Sequence, residues 1–114
     1  MKESLPFLYH ILDEIQYILD KTGSLNVDDI RLDPDLSRSI PRSLEIIGEA
    51  VKNLSPAFRD AHPDIPWNAI AGMRDKLIHG YFGIKWIVVW SVIKHDIPDL
   101  DIKIRKIIEE IKAE

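Results

Sequence analysis

The sequence predicts an all-α fold, an antiparallel helical bundle of four or five helices. Apolar residues recur at three- and four-residue steps along most of the 114-residue chain, which is the period of an amphipathic helix. Most of the seven prolines separate these periodic segments or begin them. The one apolar run that could form a strand, residues 84–93, has no second strand candidate with which to pair, and an isolated strand is unstable.

The first helix is predicted from an apolar stripe that runs from about Leu5 to Asp20. Gly23 follows this stripe and is a suitable residue to end the helix. Residues 24–35 are polar and rich in aspartate, so we expect a loop with a short turn of helix there.

A second long helix is predicted to end near Leu54. Its start is open, because Pro41 either begins the helix at its first turn or kinks a helix that began near Asp35. Gly48 lies in the middle of this helix, where glycine costs about 1 kcal/mol relative to alanine. We therefore expect another helix or a backbone segment to approach closely at Gly48.

Two shorter helical segments are predicted next. The stretch SPAFRDAHP indicates one or two helical turns, with Ser55 as the N-terminal cap and Pro56 at the first helical position. The following helix is predicted to begin at Pro66 and to reach Gly80, a suitable C-terminal cap. Apolar residues about one turn apart supply the core stripe of this helix: Ile70, Met73 and Leu77.

The end of the chain is predicted to be helical as well. Residues 84–93 are rich in β-branched and aromatic side chains, and we interpret them as a buried helix because no partner strand exists. The last helix is predicted from Pro98 almost to the end of the chain, since apolar residues continue there at helical spacing.

Length and composition predict one domain over residues 1–114, in a cytoplasmic protein. The chain has no cysteine, which excludes disulfides, thiolate metal sites and cysteine nucleophiles. Charged side chains interrupt the apolar part of the N-terminus, so it does not resemble a signal peptide, and no apolar run approaches the roughly 20 residues of a membrane helix. The net charge of −4 argues against binding long nucleic acid over the whole surface. Any contact with nucleic acid must therefore be local.

The stretch IAGMRDKLIHGYF, residues 70–82, places Arg74, His79 and Tyr81 near the end of a predicted helix. Histidine can move the proton of a ribose 2′-hydroxyl, and arginine can clamp phosphoryl oxygens. Such a route requires no metal and no cofactor. Asp75 would lie one helical turn before His79 and support its imidazole. Judged by spacing alone, residues of this kind at a helix end are more often a solvated surface or an ion pair.

A single helix does not aim both catalytic candidates at one point. Arg74 and His79 are five residues apart, which is about 140° around a helix. Two copies of the chain that face each other across a dimer axis would bring these side chains into a shared cleft. The spacing therefore favours a dimeric site.

The stretches RSLEIIGEAVKNLSPAFRDAHPDIPW and IPWNAIAGMRDKLIHGYFG closely resemble the HepT-type toxins of the HEPN superfamily. The likeness runs from the first helix through VVWSVIKHDIPDL and covers nearly the whole chain. That family carries the motif Arg-x-x-x-x-His-x-Tyr, which Arg74, His79 and Tyr81 match without departure. The resemblance implies a homodimeric, metal-independent ribonuclease in which Arg74 and His79 are catalytic. It also implies a minimal nucleotidyltransferase antitoxin, which silences the toxin by transferring AMP to Tyr81.

Four basic residues are candidates for further contacts with the RNA substrate: Arg38, Arg42, Lys76 and Lys85. Arg38 and Arg42 are four residues apart and would form a local basic patch, whereas Lys76 and Lys85 lie near the motif. For all four, ordinary solvent exposure is the simpler interpretation. The predicted partners are thus RNA, the antitoxin and a second copy of the chain, with no DNA and no membrane.

Other polar and aromatic residues are expected to be structural. The remaining histidines show no metal-ligand spacing and are expected on the surface or in caps: His10, His62 and His95. The tryptophans are expected in the core or in a dimer interface: Trp67, Trp86 and Trp90. Glu45 and Glu49 could line the cleft, but a solvated face with a surface pair between Glu49 and Lys52 is the preferred interpretation.

Two other functions stay open. A HEPN-fold module that docks on a nucleotidyltransferase, with or without a bound nucleotide, would fit the acidic net charge without cutting RNA. A purely structural helical dimer is the second alternative. The presence of Arg74 and His79 favours the ribonuclease, whereas Tyr81 does not separate it from the binding module, because both could be modified.

Overall fold

In the computed structural model, which describes residues 1–78 and 83–114, the chain is all-α, as predicted. A short 3₁₀ turn, Lys2–Ser4, leads into the first helix. The described helices are α1 Leu5–Thr22, α2 Val27–Arg31, α3 Leu36–Lys52, α4 Pro56–Ala61, α5 Trp67–Ala71, α6 Met73–Leu77, α7 Trp86–Ser91, a π-helical turn Val92–Asp96, and α8 Ile97–Lys112. Within these residues the β pairing is limited to an isolated antiparallel bridge between Ile78 and Ile84.

The long helices α1, α3 and α8 form the body of the bundle. α1 packs against both α3 and α8, and it buries aliphatic side chains that recur at helical spacing, Leu8, Ile11, Ile15 and Ile18. Its C-terminal cap is Gly23, as the sequence predicts. Burial of these continuous apolar stripes supplies the main driving force for the bundle.

Helix α3 begins well before its proline. It starts at Leu36 with Asp35 as its N-terminal cap residue, and Pro41 lies inside it. Of the two starts that the sequence leaves open, the earlier one is therefore correct. The expected close approach at Gly48 is also confirmed, because a Cβ atom placed there would lie 2.8 Å from the carbonyl oxygen of Ile70.

Side-chain caps explain two of the short helices. At the start of α2, the Asn26 side chain accepts a hydrogen bond from the Asp29 amide at 3.0 Å, and the Asp29 carboxylate accepts one from the Asn26 amide at 2.9 Å. At the start of α4, the Ser55 hydroxyl accepts from the amide of Phe58 at 3.1 Å, as predicted. Each cap satisfies amide groups that a helix start otherwise leaves unpaired.

Helices α7 and α8 are joined by the π-helical turn rather than by a loop, so the interpretation of residues 84–93 as a helix is confirmed over most of its length. In the π turn the Ile97 amide donates to the carbonyl of Val92, five residues earlier. Pro98 explains this widening, since it has no amide hydrogen for the carbonyl of Lys94 and its ring crowds that carbonyl. The backbone therefore takes the wider turn and remains helical.

The segment that contains the motif differs from its prediction. A single helix from Pro66 to Gly80 is wrong, because α5 and α6 are separated at Gly72 and α6 ends at Leu77. Ile78 is extended, with φ −110° and ψ 127°, and it forms the isolated bridge to Ile84. This backbone pairing uses groups that a continuing helix would need, and the β-branched side chain of Ile78 favours an extended conformation. None of the described helices is both long and apolar enough to cross a membrane.

Candidate functional site

The motif segment, defined as α5 and α6, lies directly on α3. Gly48 permits this contact, since a Cβ there would lie only 2.8 Å from the carbonyl oxygen of Ile70 and 3.4 Å from the Cβ of Met73. Ile70, Met73 and Leu77 are buried, which confirms the predicted core stripe. The close approach fixes one face of α6 in the core and leaves its polar face to solvent.

Arg74 and Asp75 lie on that polar face. Both side chains are exposed, and among residues 1–78 and 83–114 neither of them takes part in an ion pair. A guanidinium in this setting can bind a phosphate with two parallel hydrogen bonds. The backbone carbonyl of Arg74 accepts a hydrogen bond from the Ile78 amide at 3.0 Å, which holds the last turn of α6.

His79, Gly80 and Tyr81 lie outside the described residues, so their predicted roles stay predictions. The residues on either side of them are held together. The Lys85 amide donates to the Leu77 carbonyl at 2.8 Å, next to the isolated bridge. Because α6 ends two residues before His79, the helical stacking expected of Asp75 beneath the imidazole loses its basis, and a supporting role for Asp75 rests on its position in sequence alone.

The two lysines near the motif have different surroundings. Lys76 lies 3.6 Å from a carboxylate oxygen of Asp96, so its charge is partly balanced within the chain. Lys85 is exposed at the start of α7, and its backbone lies beside Leu77 at the end of α6. The fold therefore brings the second predicted lysine close to the motif segment from a different helix.

The predicted basic patch lies on α3. Arg38 and Arg42 are exposed and one turn apart, as the spacing indicates. Arg42 is paired at 3.5 Å with Glu45, a carboxylate whose side chain is only 19% exposed. This pair partly balances the positive charge of Arg42, whereas Arg38 takes part in no ion pair with the described residues.

Most of the polar residues for which the sequence predicts no functional role lie on the surface or in local pairs. The surface pair between Glu49 and Lys52 is present at 3.1 Å. His10 and His95 are exposed, and the half-buried ring of His62 lies against Phe58 at 4.8 Å between centroids. In the described part of the chain, no group of three or more histidine and carboxylate side chains is arranged to hold a metal ion.

Trp67 anchors the start of the motif segment. Its ring is buried, and its indole N–H donates to the carbonyl of His62 at 2.9 Å. We expect Trp67→Phe to lower the free energy of unfolding by about 1 kcal/mol, because the His62 carbonyl loses the indole donor and keeps only the longer hydrogen bond from the Ile65 amide, at 3.3 Å. Urea denaturation followed by circular dichroism measures this change.

The matched control is Trp90→Phe. Trp90 is half-buried and its ring stacks with the Lys94 ammonium at 4.5 Å. Because phenylalanine keeps an aromatic face for this contact at the surface, the substitution should cost less than about 0.5 kcal/mol. An equal or larger loss of stability in the control than in Trp67→Phe would contradict the anchoring role.

A cavity of about 200 Å³ lies between the motif segment and the start of α8, and it was not predicted from the sequence. Its walls are mainly apolar, and four charged residues surround it, Lys76, Asp96, Asp99 and Lys103. The sequence signal that bears on it is Pro98, which is expected to disturb a helix and which here accompanies the π turn that carries Asp96. The cavity forms between segments about 20 residues apart, so no local pattern predicts it.

Comparison with known proteins shows a family match over most of the chain. Residues 11–107 match the model of a family described as Ribonuclease HepT-like. A protein of Caldanaerobacter subterraneus subsp. tengcongensis, named as a candidate RNase, is 46% identical over 112 residues, which are 98% of this chain and 100% of that protein. A Thermococcus cleftensis protein, named as a candidate ribonuclease HepT, is 43% identical over 101 residues, 89% of this chain and 92% of that protein.

A third relative comes from Methanocaldococcus jannaschii and is also named as a candidate RNase. It is 42% identical over 114 residues, which cover 99% of this chain and 93% of that protein. No solved structure matches the chain.

Proposed function

The chain belongs to the Ribonuclease HepT-like family, and we propose that it is a metal-independent ribonuclease that cleaves RNA through attack of the 2′-hydroxyl. One structural observation carries the proposal. The guanidinium of Arg74 is exposed on α6, without an ion-pair partner among the described residues, five positions before His79. An exposed arginine without an ion-pair partner among the described residues can bind a phosphodiester, and the histidine five positions later in the sequence can supply the proton transfer.

The proposed reaction divides between two side chains. His79 takes the proton of the 2′-hydroxyl or gives one to the leaving 5′-oxygen, and the 2′-oxygen forms a bond to phosphorus as the bond to the 5′-oxygen breaks. Arg74 binds the phosphoryl oxygens and stabilises the negative charge that develops on them. The products are a 2′,3′-cyclic phosphate and a free 5′-hydroxyl.

We further propose that the active form is a homodimer, in which each copy contributes Arg74 and His79 to a shared cleft. Arg38 and Lys85, exposed and without an ion-pair partner among the described residues, would hold flanking phosphates of the RNA. The contributions of Lys76 and Arg42 would be smaller, because Asp96 and Glu45 lie near them.

The protein would act as a toxin that a minimal nucleotidyltransferase antitoxin silences by AMP transfer to Tyr81. The phenol oxygen of Tyr81 would lose its proton and bond to the α-phosphorus of ATP as the bond to the departing pyrophosphate breaks. The product carries a negative phosphodiester and an adenine two residues from His79 in the sequence. Arg74 is a suitable partner for that anion, so the modified tyrosine would compete with the substrate phosphate.

The alternative is a binding module that docks on a nucleotidyltransferase and cleaves nothing. The net charge of −4 favours it, since RNA-binding surfaces are usually rich in basic residues. The local exposure of Arg74 and Lys85 favours the ribonuclease instead.

The test is cleavage of total RNA by the purified protein with a metal chelator present, after intact mass shows that Tyr81 carries no AMP. We expect fragments with 2′,3′-cyclic phosphate ends, read by their resistance to ligation until the cyclic phosphate is removed. Products with free 3′-hydroxyl ends would contradict attack by the 2′-hydroxyl. No cleavage by the unmodified protein would support the binding module.

A further inference from the structure

The cavity between the motif segment and α8 is small and has mainly apolar walls. Its volume is about 200 Å³, and its lining includes Met73 from α6 with Ile97 and Leu100 from the start of α8. Sites for small molecules are concave and mostly apolar, with a few polar groups that set orientation. Methionine and aliphatic side chains on opposite walls can hold an aromatic ring between them.

The charges around the cavity balance one another, so they provide no net attraction for a phosphate and are compatible with a neutral base. Two lysines and two aspartates line it, Lys76, Lys103, Asp96 and Asp99, so their formal charges sum to zero. Lys103 is held by the Asp99 carboxylate at 3.0 Å. It also donates to the backbone carbonyl of Asp64 at 2.8 Å. Lys76 and Asp96 are only loosely paired, at 3.6 Å, which exceeds the length of a hydrogen bond.

Lys76 and Asp96 therefore retain hydrogen-bonding capacity side by side. The ammonium has three donors and the carboxylate is an acceptor with two oxygens. Guanine presents the complementary edge, an O6 acceptor next to the N1–H and N2–H donors. The two N–H groups match a carboxylate in a bidentate pair, with the ammonium beside O6. Adenine, cytosine and uracil cannot offer two adjacent donors to one carboxylate.

From this arrangement we propose that the cavity is a guanine-binding subsite, in which Asp96 accepts from N1–H and N2–H and Lys76 donates to O6. Lys76 and Arg74 lie two residues apart on α6 and therefore point to different sides of this helix. A strand that holds guanine at Lys76 and curves around the exposed side of α6 would bring a neighbouring phosphate to Arg74. The subsite would make cleavage selective for RNA with guanine next to the scissile phosphate. Selectivity of cleavage rests on the proposed ribonuclease function, whereas base binding does not.

The first experiment measures base binding without any cleavage. Methyl NMR spectra of the unmodified protein are recorded during titration with GMP, IMP or AMP, which share the ribose phosphate and differ in the base edge. We expect shifts at Met73, Ile97 and Leu100, with GMP about tenfold tighter than AMP and IMP between them, since IMP lacks the N2 amino group. Equal affinities, or shifts confined to other parts of the protein, would overturn the inference.

Asp96→Asn is the decisive variant. The asparagine amide offers one acceptor and places a donor against the N–H groups of guanine, so the roughly tenfold preference for GMP should disappear while weak binding of AMP persists. The matched control is Asp28→Asn, which removes an exposed carboxylate paired with Arg31 at 3.1 Å on α2, outside the cavity lining. An unchanged GMP preference in Asp96→Asn, or the same loss in the control, would refute the subsite.

The second experiment separates this inference from the proposed function. RNA oligonucleotides that carry a single guanine, inosine or adenine at one position are incubated with the wild-type and Asp96→Asn proteins. The subsite is supported if the wild-type protein cleaves next to guanine about tenfold faster than next to adenine, and if the two rates become equal in Asp96→Asn. If both proteins cleave all three oligonucleotides at the same rate, the subsite is contradicted while the proposed ribonuclease function is supported. If the protein binds GMP selectively but cleaves no RNA, the subsite is supported and the proposed ribonuclease function is contradicted.

Discussion

His79→Ala is expected to cleave RNA at least about 100-fold more slowly than the wild-type protein, because general acid–base catalysis contributes roughly 10²–10⁴ to the rate. The water that replaces the imidazole is a poor base for a 2′-hydroxyl near neutral pH. The measurement is the single-turnover rate on a fluorescent RNA oligonucleotide, with a chelator present and with Tyr81 confirmed as unmodified by intact mass.

The control for this variant is His95→Ala. His95 is an exposed histidine of the π turn whose Nδ1 lies 3.1 Å from the carbonyl of Ser91, and it has no place in the proposed reaction. We expect its rate to remain within about twofold of the wild type, since surface substitutions of this kind change stability by about 0.5 kcal/mol or less. Equal rates for His79→Ala and wild type would remove His79 from the mechanism.

Arg74→Lys distinguishes binding by shape from binding by charge. Lysine keeps the positive charge but cannot form two parallel hydrogen bonds to one phosphoryl group. A rate as low as that of Arg74→Ala would show that the fork of the guanidinium is needed. Since Arg74 and His79 are proposed to act on the same phosphodiester, the double variant Arg74→Ala/His79→Ala should lose much less activity than the product of the single effects.

Gly48→Ala should destabilise the protein although alanine is the better helix former. The gain in helix propensity is about 1 kcal/mol. The added methyl would lie 2.8 Å from the Ile70 carbonyl oxygen and 3.4 Å from the Met73 Cβ, so the motif segment must shift. Overpacking of this kind costs about 1–3 kcal/mol, and we therefore expect a net loss of up to about 2 kcal/mol.

Gly72→Ala is the matched control, since it makes the same chemical change between α5 and α6. The nearest atom to a Cβ at Gly72 is the Asn68 carbonyl oxygen at 3.5 Å, an ordinary contact. Its φ of −86° is also acceptable for alanine, so we expect no loss of stability, or a gain of up to about 1 kcal/mol. Urea denaturation of the three proteins measures both changes. A Gly48→Ala protein as stable as Gly72→Ala would show that α3 does not hold the motif segment closely.

The sequence by itself determined the parts of this protein that depend on local patterns. The apolar stripe of α1, the cap at Ser55, the helix at the apolar run after residue 84 and the close approach at Gly48 are all present as predicted. Each follows from residues within a few turns of one another. The helical period sets which side chains are buried, and a mid-helix glycine has few reasons to occur other than crowding. The family, too, could be inferred from the sequence, because the likeness extends over nearly the whole chain.

The tertiary structure decided what depends on pairing between distant segments. The motif helix ends at Leu77 because the backbone of residues 77 and 78 pairs with residues 84 and 85, a contact that outweighs the helical pattern of the sequence. The sequence predicts Lys76 as a candidate basic contact for RNA. In the structure the π turn places Asp96 3.6 Å from it, which partly balances its charge. The cavity is formed by residues 65–76 together with residues 96–103, which are distant in the sequence. Helix propensity acts over one or two turns of the chain. These features depend instead on which distant segments come into contact, and the packing of the whole chain determines those contacts.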